Sequence, residues 1–233
     1  MADWETINAD PRHAGQRVYS VTLDGERYWV KRSDKNYKNV FQRVLYPNLS
    51  ALRDEARAMS ALRTRGMLVP TVVCETGAFI VLTDLGENLQ HCLDEGDGQR
   101  RVRYVEQLAG VLSELHRRKG WHGNAALRNF TLSDGQVGML DFEKTAHRWW
   151  SLNVRQAYDI WQLLHSLAQY PDRGPLASTF LERYRPTSRG LLYLRLMSWG
   201  ASPLYLLLAP FSAYLKRDFR QAVSTVGTLL THR

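Results

Sequence analysis

The feature that most constrains the fold is the stretch 121–143. An asparagine, Asn129, precedes one short apolar run, and an aspartate, Asp141, follows the next. The runs Phe130 to Leu132 and Val137 to Leu140 predict two strands that are joined by a polar turn. The two ends of such a hairpin meet at one edge. Asn129 and Asp141 are therefore predicted ligands of Mg²⁺, which prefers oxygen atoms. Ordinary polar ends of a hairpin remain the alternative.

Composition narrows the class of protein. The chain has 233 residues, enough for one large domain or two small lobes, and 44% of them are hydrophobic, so a packed core is expected. Only Cys74 and Cys92 occur, and neither belongs to a CxxC motif or to a Cys/His cluster. This argues against a disulfide framework and against a zinc site. A reducing cytoplasm is the expected location.

The net charge of +8 is unevenly distributed. The range Arg27 to Arg65 has ten Lys/Arg against three Asp/Glu, and Arg173 to Arg233 has nine against two. Basic faces suit phosphate groups on nucleotides, nucleic acids or anionic lipids. No nucleic-acid recognition motif occurs, and basic and aromatic residues do not alternate in a repeated pattern. A nucleic-acid partner is therefore not expected.

Two strands are predicted near the N-terminus, Val18 to Leu23 and Glu26 to Arg32, because the Asp24-Gly25 turn signal lies between them. Alternation puts Lys31 and Trp29 on one face of the second strand. Tyr28, Val30 and Arg32 fall on the other face. A lysine in such a strand is either functional or an edge-strand lysine that discourages aggregation. Upstream, Asn8 to Gln16 is a candidate phosphate-covering loop, although it has only one glycine.

A helix is predicted from the N-cap Ser50 to about Arg65, where Gly66 ends it. Glu55 lies on the apolar side of this helix. An unpaired buried carboxylate is costly, so Glu55 needs a partner, and Lys31 is the natural candidate. The alternative is a glutamate at the boundary that reaches solvent.

The pattern changes near residue 85. Two more strands, Thr71 to Cys74 and Ala78 to Thr83, lead into the turn Asp84 to Glu87, and the chain beyond is mostly helical. We therefore expect an α+β fold with a β-rich N-lobe at residues 1–85, which includes one helix, and a helical C-lobe at residues 86–233. In the C-lobe, Asp159 lies beside a helical stripe and is expected to accept hydrogen bonds from the loop at His122.

The order of these parts resembles the two-lobed protein-kinase-like fold. A strand lysine, a helix glutamate, a hinge, His-Gly followed by Asn129, a hairpin and Asp141 succeed one another. The closer resemblance is to small bacterial kinases of lipopolysaccharide core sugars (heptose and Kdo kinases) and their toluene-tolerance and RIO-like relatives. The stretches Asp54 to Leu62 and Gly66 to Pro70 look like the helix region of these kinases, and the basic insertion Ser33 to Leu49 also fits. The resemblance covers roughly residues 15–170.

The resemblance implies a role for each site residue. Lys31 would hold the phosphates of ATP and Glu55 would position it, while Asp141 and Asn129 would bind Mg²⁺. Three hinge residues would border the adenine: Asp84, Leu85 and Gly86. His122 and Asp159 would be structural.

One position departs from the kinase pattern, because Asn124 stands where the catalytic aspartate is expected. An amide cannot accept a proton near pH 7, although it can orient a hydroxyl group. Two functions therefore stay open. The first is a kinase that transfers phosphate from ATP to an alcohol group of a lipopolysaccharide core sugar or related glycolipid. The second is a pseudokinase that binds nucleotide or partners without transfer.

The expected location is the cytoplasm, with peripheral contact at the cytoplasmic face of the inner membrane as an open possibility. The polar, acidic N-terminus is not a secretory signal. The apolar run Pro203 to Phe211 is shorter than the ~20 residues that a bilayer requires. Together with Lys216, Arg217 and Arg220 it could dock on a membrane surface. A buried lobe helix is the favoured interpretation of this run.

Overall fold

The computed structural model describes residues 2–33, 51–142, 150–185, 196 and 221–227. The N-cap Ser50, nearly all of the basic segment Ser33–Leu49 and the apolar run Pro203–Phe211 with its cations lie outside these residues. The chain divides into two compact units, residues 1–86 with 138–144, and residues 87–137 with 145–233. The predicted lobes at 1–85 and 86–233 stay a prediction of domain organisation. Within the described part of the chain, no helix has the length and hydropathy of a membrane span.

The first unit contains a four-stranded antiparallel sheet. Its elements are α1 (Trp4–Ala9), β1 (Val18–Leu23), β2 (Glu26–Arg32), α2 (Ala51–Arg63), β3 (Val72–Glu75) and β4 (Phe79–Thr83). The strand order is β1-β2-β4-β3. The β1–β2 hairpin has the predicted bounds, because Asp24 and Gly25 both have positive φ, as a two-residue turn between right-twisted strands requires.

One face of this sheet forms a small core. Tyr19, Val30, Phe79 and Val81 are buried there, and Trp4 of α1 packs against them. Val30 and Tyr28 are on this face, as alternation predicted. Lys31 has the opposite orientation and meets α2 through its ion pair. The strand period thus determines which side chains the sheet presents to α2.

The prediction of a phosphate-covering loop at Asn8–Gln16 is wrong. The segment includes the end of α1 and a 3-10 turn at Pro11–His13. Arg32 binds it to the sheet, donating to Oδ1 of Asn8 at 2.7 Å and to the carbonyl oxygens of His13 and Gln16. Because Arg32 and Lys31 alternate along β2, the segment lies on the face opposite Lys31.

The second unit is mostly helical. Its elements are β5 (Glu87–Asn88), α3 (Leu89–Glu95), α4 (Gly98–Arg117), β6 (Phe130–Ser133), β7 (Gln136–Met139), α5 (Leu152–Leu167) and α6 (Arg173–Tyr184), and residues 221–227 are also helical. Strands β5, β6 and β7 form a sheet in that order. Glu87, predicted to end the hinge turn, begins β5. The last residues of β7 and Asp141 belong to the first unit.

Candidate active site

A buried ammonium group is the centre of the first unit's site. Lys31 Nζ donates to Glu55 Oε1 at 2.8 Å and to Asp141 Oδ1 at 2.5 Å. The side chains of Lys31 and Glu55 are 10% and 6% exposed, whereas that of Asp141 is 30% exposed. The predicted Lys31–Glu55 pair is confirmed. The site is thus closed at Glu55 and open to solvent at Asp141.

Three separate elements meet at this cluster. Lys31 comes from the sheet face towards α2, Glu55 from the second turn of α2, and Asp141 from the chain just after β7. Residues far apart in sequence can hold one ammonium only if tertiary packing aligns these elements. The pairing of Lys31 with Glu55 was predicted from the sequence, whereas the direct contact between Lys31 and Asp141 is a result of the structure.

Opposing effects set the charge state of Lys31. Burial by itself would lower its pKa, but the nearby carboxylates of Glu55 and Asp141 outweigh burial and raise the pKa above its ordinary value. Lys31 is therefore a cation throughout the physiological range. One positive charge beside two carboxylates makes the cluster formally anionic, a setting that attracts a divalent cation.

Asp141 has an unusual backbone conformation. Its φ of 56° lies in the left-handed region, which few non-glycine residues adopt and which aspartate tolerates better than most. Such backbone conformations often occur at functional sites. This one occurs where the carboxylate of Asp141 contacts Lys31.

The hinge residues Asp84, Leu85 and Gly86 follow β4 in the same unit as Lys31. The Asp84 carboxylate accepts the Trp29 indole N–H at 2.6 Å and the Gly86 backbone N–H at 3.2 Å. The Asp84 backbone N–H donates to the Arg27 carbonyl at 3.2 Å. The hinge backbone is therefore fixed to β2. Its contact with adenine stays a prediction.

The loop that contains Asn124 belongs to the second unit, and Asp159 of α5 holds its start. Asp159 is fully buried and accepts the backbone N–H groups of His122 at 2.6 Å and of Gly123 at 2.8 Å. This confirms the predicted hydrogen bonds. The His122 ring also packs 5.0 Å from the ring of Phe130, between ring centroids. Asp159 thus holds the backbone at the start of the loop through hydrogen bonds, and the ring of His122 packs the loop against Phe130.

Sequence reasoning missed further anchors on α5. Gln162 accepts the Ala125 N–H at 3.0 Å, and Ser166 accepts the Leu127 N–H at 3.4 Å. With Asp159 these residues recur at intervals of three and four, so they share one face of the helix. Polar residues at this spacing within an otherwise amphipathic helix are the signal that could have revealed them.

Asn124 and Asn129 are close together in the second unit. The Asn129 side-chain amide donates to the Asn124 carbonyl at 2.7 Å, and Asn129 is 6% exposed. This bond uses the amide nitrogen and leaves the Asn129 amide oxygen as the possible metal ligand. The described residues contain no group of three or more His, Cys, Asp or Glu side chains that could hold a metal. The Asp141 carboxylate of the first unit and the Asn129 amide oxygen of the second are each a type of ligand that Mg²⁺ prefers, and their joint role as its ligands stays a prediction.

A buried hydrogen-bonded chain extends the anchor to α6. His116 Nε2 lies 3.1 Å from Asp159 Oδ2, and His116 Nδ1 is hydrogen-bonded to the Tyr184 hydroxyl. Burial, and secondarily the charge of Asp159, raises the pKa of Tyr184. A His116 ring with its proton on Nε2 can donate to Asp159 and accept from Tyr184, so the side chains of His116, Asp159 and Tyr184 all have hydrogen-bond partners. The start of the Asn124 loop is thereby connected to the last turn of α6.

Comparisons with known proteins agree with this architecture. The model of the lipopolysaccharide kinase (Kdo/WaaP) family matches residues 10–184. An uncharacterized protein of Haemophilus influenzae is 25% identical over 219 residues, which cover 89% of this chain and 87% of that protein. The solved structure of WaaP in complex with acyl carrier protein is similar, with a TM-score of 0.56 and 20% sequence identity over 88% of this chain and 93% of that one.

These comparisons confirm the α+β protein-kinase-like fold. The family match spans the strand with Lys31, the helix with Glu55, the loop with Asn124 and the hairpin that leads to Asp141. Because the family model covers most of the chain, the chain belongs to the lipopolysaccharide kinase (Kdo/WaaP) family, and its reaction class is phosphate transfer.

Proposed function

We propose that the protein is an ATP-dependent phosphotransferase that acts on a sugar hydroxyl of the lipopolysaccharide core or of a related cell-envelope glycolipid. The observation that carries the proposal is the Lys31 ammonium, which lies 2.8 Å from Glu55 and 2.5 Å from Asp141. A cation fixed by a buried carboxylate, next to a second and more exposed carboxylate, suits a nucleotide phosphate and its metal. Membership of the family supports lipopolysaccharide as the acceptor.

On the donor side, each residue of the cluster has a distinct task. Lys31 binds phosphate oxygens of ATP, and Glu55 keeps its ammonium in place. Asp141 holds Mg²⁺, with Asn129 as second ligand. When bound, Mg²⁺ neutralises charge on the transferring phosphate. Support for the metal assignment comes from the donor set, a partly exposed carboxylate and an amide oxygen.

The hinge residues Asp84, Leu85 and Gly86 border the base in this proposal. Their backbone groups are rigid because the Asp84 carboxylate accepts from both Trp29 and Gly86. Because the N–H groups of Asp84 and Gly86 donate within the protein, the Leu85 N–H and the hinge carbonyls are the groups that pair with the edge of a base, and a fixed backbone loses little entropy when they do so. In this proposal the hinge therefore orients the base of ATP and does not neutralise the charge of its phosphates.

On the acceptor side, a sugar hydroxyl oxygen attacks the γ-phosphorus, the bond from that phosphorus to the bridging oxygen breaks, and ADP leaves. Asn124 orients this hydroxyl but cannot take its proton, which passes to an oxygen of the transferring phosphate and from there to solvent. Asp159 and Gln162 hold the backbone on either side of Asn124. Phosphate transfer depends mostly on positioning and charge neutralisation, so turnover without a carboxylate base is chemically reasonable.

Asn124 also motivates a second candidate, a pseudokinase that binds nucleotide without transfer. A general base is typically worth ~10²–10⁴ in rate. A chain that lacks one could retain the donor site for binding alone. This candidate predicts an intact nucleotide site with no turnover.

One set of experiments separates the two functions. Mg-ATP binding and phosphate transfer to core-sugar acceptors are measured for wild type, Asp141→Ala and Asn124→Asp. The matched control is Asn153→Asp, the same chemical change in the first turn of α5. The enzyme is supported if wild type turns over and Asp141→Ala does not. Turnover by Asn124→Asp alone supports the pseudokinase, and no nucleotide binding by wild type contradicts both.

The proposal also includes location and partners. An enzyme that phosphorylates a membrane-anchored glycolipid meets its acceptor at the cytoplasmic face of the inner membrane, and the net charge of +8 favours contact with anionic headgroups. The similar WaaP was solved with acyl carrier protein. Co-sedimentation with anionic and neutral vesicles tests the peripheral contact. Equal binding to both would contradict an electrostatic contact.

A further inference from the structure

Asn88, which directly precedes α3, connects this helix to the loop that contains Asn124. Its Nδ2 donates to the Arg128 carbonyl at 2.7 Å, and its Oδ1 accepts the Gln90 backbone N–H at 3.0 Å. The second bond caps the start of α3. An amide has a donor end and an acceptor end, so asparagine can make both bonds at once, whereas an ionised aspartate can only accept. The residue type therefore fits a double role.

The carbonyl that Asn88 binds belongs to the peptide unit that leads into Asn129. The N–H of the same peptide unit donates to the Ala126 carbonyl at 2.9 Å. A peptide unit is planar, so hydrogen bonds at both its carbonyl and its N–H fix its orientation. The direction in which the Asn129 side chain leaves the backbone is therefore set in part by Asn88.

The Asn129 side chain is itself restrained. Its amide nitrogen donates to the Asn124 carbonyl at 2.7 Å, and the residue is 6% exposed. The amide oxygen is the end of the side chain that the proposed function assigns to Mg²⁺. Metal ligands are commonly oriented by hydrogen bonds from residues around them, and these outer partners affect metal affinity. Asn88 and Asn124 are in the right places to orient Asn129 in this way.

The helix that Asn88 caps is a fixed support. Leu89 and Leu93 of α3 are fully buried in the second unit. The Tyr170 hydroxyl donates to Asp94 Oδ1 of the same helix at 2.8 Å. Because packing and a hydrogen bond both hold α3, Asn88 restrains the loop rather than moving with it.

We propose that Asn88 is a positioning residue for the metal site, because it holds the peptide unit of Arg128 and Asn129 in the orientation that presents the Asn129 amide oxygen to Mg²⁺. This rests on the proposed function, in which Asn129 is the second Mg²⁺ ligand. Helix α5 holds the loop as far as Leu127, whose N–H donates to Ser166. Asn88 adds a restraint at the next residue, and it acts through Asn129 without touching the metal.

The test separates the two hydrogen bonds of Asn88. Asn88→Ser keeps an oxygen that can cap α3, but its shorter side chain loses the bond to Arg128. Calorimetry gives the Mg²⁺ gain, defined as the Kd for ATP without Mg²⁺ divided by the Kd with saturating Mg²⁺. One hydrogen bond is worth a factor of about 2 to 10, so the Mg²⁺ gain should fall by about that factor. The Kd without Mg²⁺ and the midpoint of urea unfolding should stay at their wild-type values.

Asp97 provides the matched control, since it caps α4 by accepting the Arg100 N–H at 2.8 Å. Asp97→Ala should lower the midpoint of urea unfolding and leave the Mg²⁺ gain unchanged. Asn88→Ala loses both bonds, so it should lower the midpoint and also the Mg²⁺ gain. An unchanged gain in Asn88→Ser would overturn the proposal. An equal reduction in Asp97→Ala would overturn it too, because the effect would then come from the loss of a helix cap.

A double variant tests whether Asn88 acts through Asn129. Asn129→Ala should lower the Mg²⁺ gain by more than Asn88→Ser does, and adding Asn88→Ser to it should cause no further loss. A further loss of the same size would contradict the proposal. If wild type binds no ATP or shows no Mg²⁺ gain, the proposed function itself is contradicted. A wild-type gain that Asn88→Ser retains in full contradicts the positioning role alone.

Discussion

The charged cluster around Lys31, which is the proposed ATP site, and the loop that contains Asn124 are held in place by different kinds of interaction. Lys31, Glu55 and Asp141 are three charged side chains from three elements of one unit. The loop is held by neutral backbone N–H groups that donate to Asp159, Gln162 and Ser166 on one helix. Substitution in the cluster leaves charges unbalanced, whereas substitution at an anchor loosens geometry. Changes in the cluster should therefore abolish binding or chemistry, and changes at the anchors should slow turnover by degrees.

The largest effect is expected for Asp141→Asn. The amide keeps the shape but removes the charge that holds the metal, and a metal contributes several kcal/mol to the transition state, so kcat should fall about 10³-fold. Steady-state phosphate transfer measures this loss. Asp134→Asn, in the turn of the same hairpin, is the control and should retain wild-type activity. A loss of less than tenfold in Asp141→Asn would contradict its role as the principal metal ligand.

The next effect concerns stability and shows the cost of unbalanced charge. Lys31→Met leaves the buried Glu55 without its cation and should lower the free energy of unfolding by about 3 kcal/mol. Lys31→Met combined with Glu55→Gln should be more stable than Lys31→Met alone, because no unpaired charge stays buried. Denaturant unfolding of the two variants measures the difference. A double variant less stable than Lys31→Met would contradict the pairing as the source of the cost.

A smaller loss is expected at the loop anchor. In Asp159→Asn one acceptor oxygen is replaced by an NH₂ group, so one of the two N–H groups of His122 and Gly123 loses its partner. We expect kcat to fall about 10- to 100-fold because about 1–3 kcal/mol is lost at a buried unpaired group. The KM for ATP should stay within about twofold. Asp172→Asn, at the start of α6, is the control. A larger change in KM than in kcat would contradict a positioning role.

The smallest effect is expected for Tyr184→Phe, which removes only the outer end of the His116 chain and should cost about 1 kcal/mol of stability. The raised pKa of Tyr184 means that its stabilising contribution is complete below pH ~10 and is lost as pH rises towards the folded-state value. Wild type should therefore lose stability above pH ~10 more steeply than Tyr184→Phe. If the free energy of unfolding falls equally with pH in wild type and in Tyr184→Phe, the prediction is contradicted, because the Tyr184 hydroxyl then has no effect on the pH dependence of stability.

The same comparison explains what the sequence could predict. The β1–β2 bounds followed from a local turn signal at Asp24-Gly25, and the Lys31–Glu55 pair followed from an inward carboxylate that needed a cation. Asp159 was found from its position beside the apolar stripe of its helix, where it could accept hydrogen bonds from the loop at His122. In each case one local rule was sufficient.

Other features depend on tertiary packing and could not be predicted in this way. Gln162 and Ser166 are neutral, so leaving either without a partner costs less free energy than burying an unpaired carboxylate. Their contacts therefore could not be inferred from such a cost. The left-handed φ of Asp141 and its contact with Lys31 require the two segments to pack together. The segment Asn8–Gln16 was considered as a phosphate-covering loop because it lies just upstream of the first strand, despite its single glycine, whereas Arg32 binds it across the opposite sheet face.

The dependence of ATP binding on Mg²⁺ tests the central claim most directly. ATP affinity is measured with and without saturating Mg²⁺ for wild type and Asp141→Asn. If Lys31 and Asp141 form a metal–nucleotide site, Mg²⁺ should tighten ATP binding at least about tenfold in wild type, and this gain should vanish in Asp141→Asn. An equal gain in both proteins, or no ATP binding by wild type, would contradict the account.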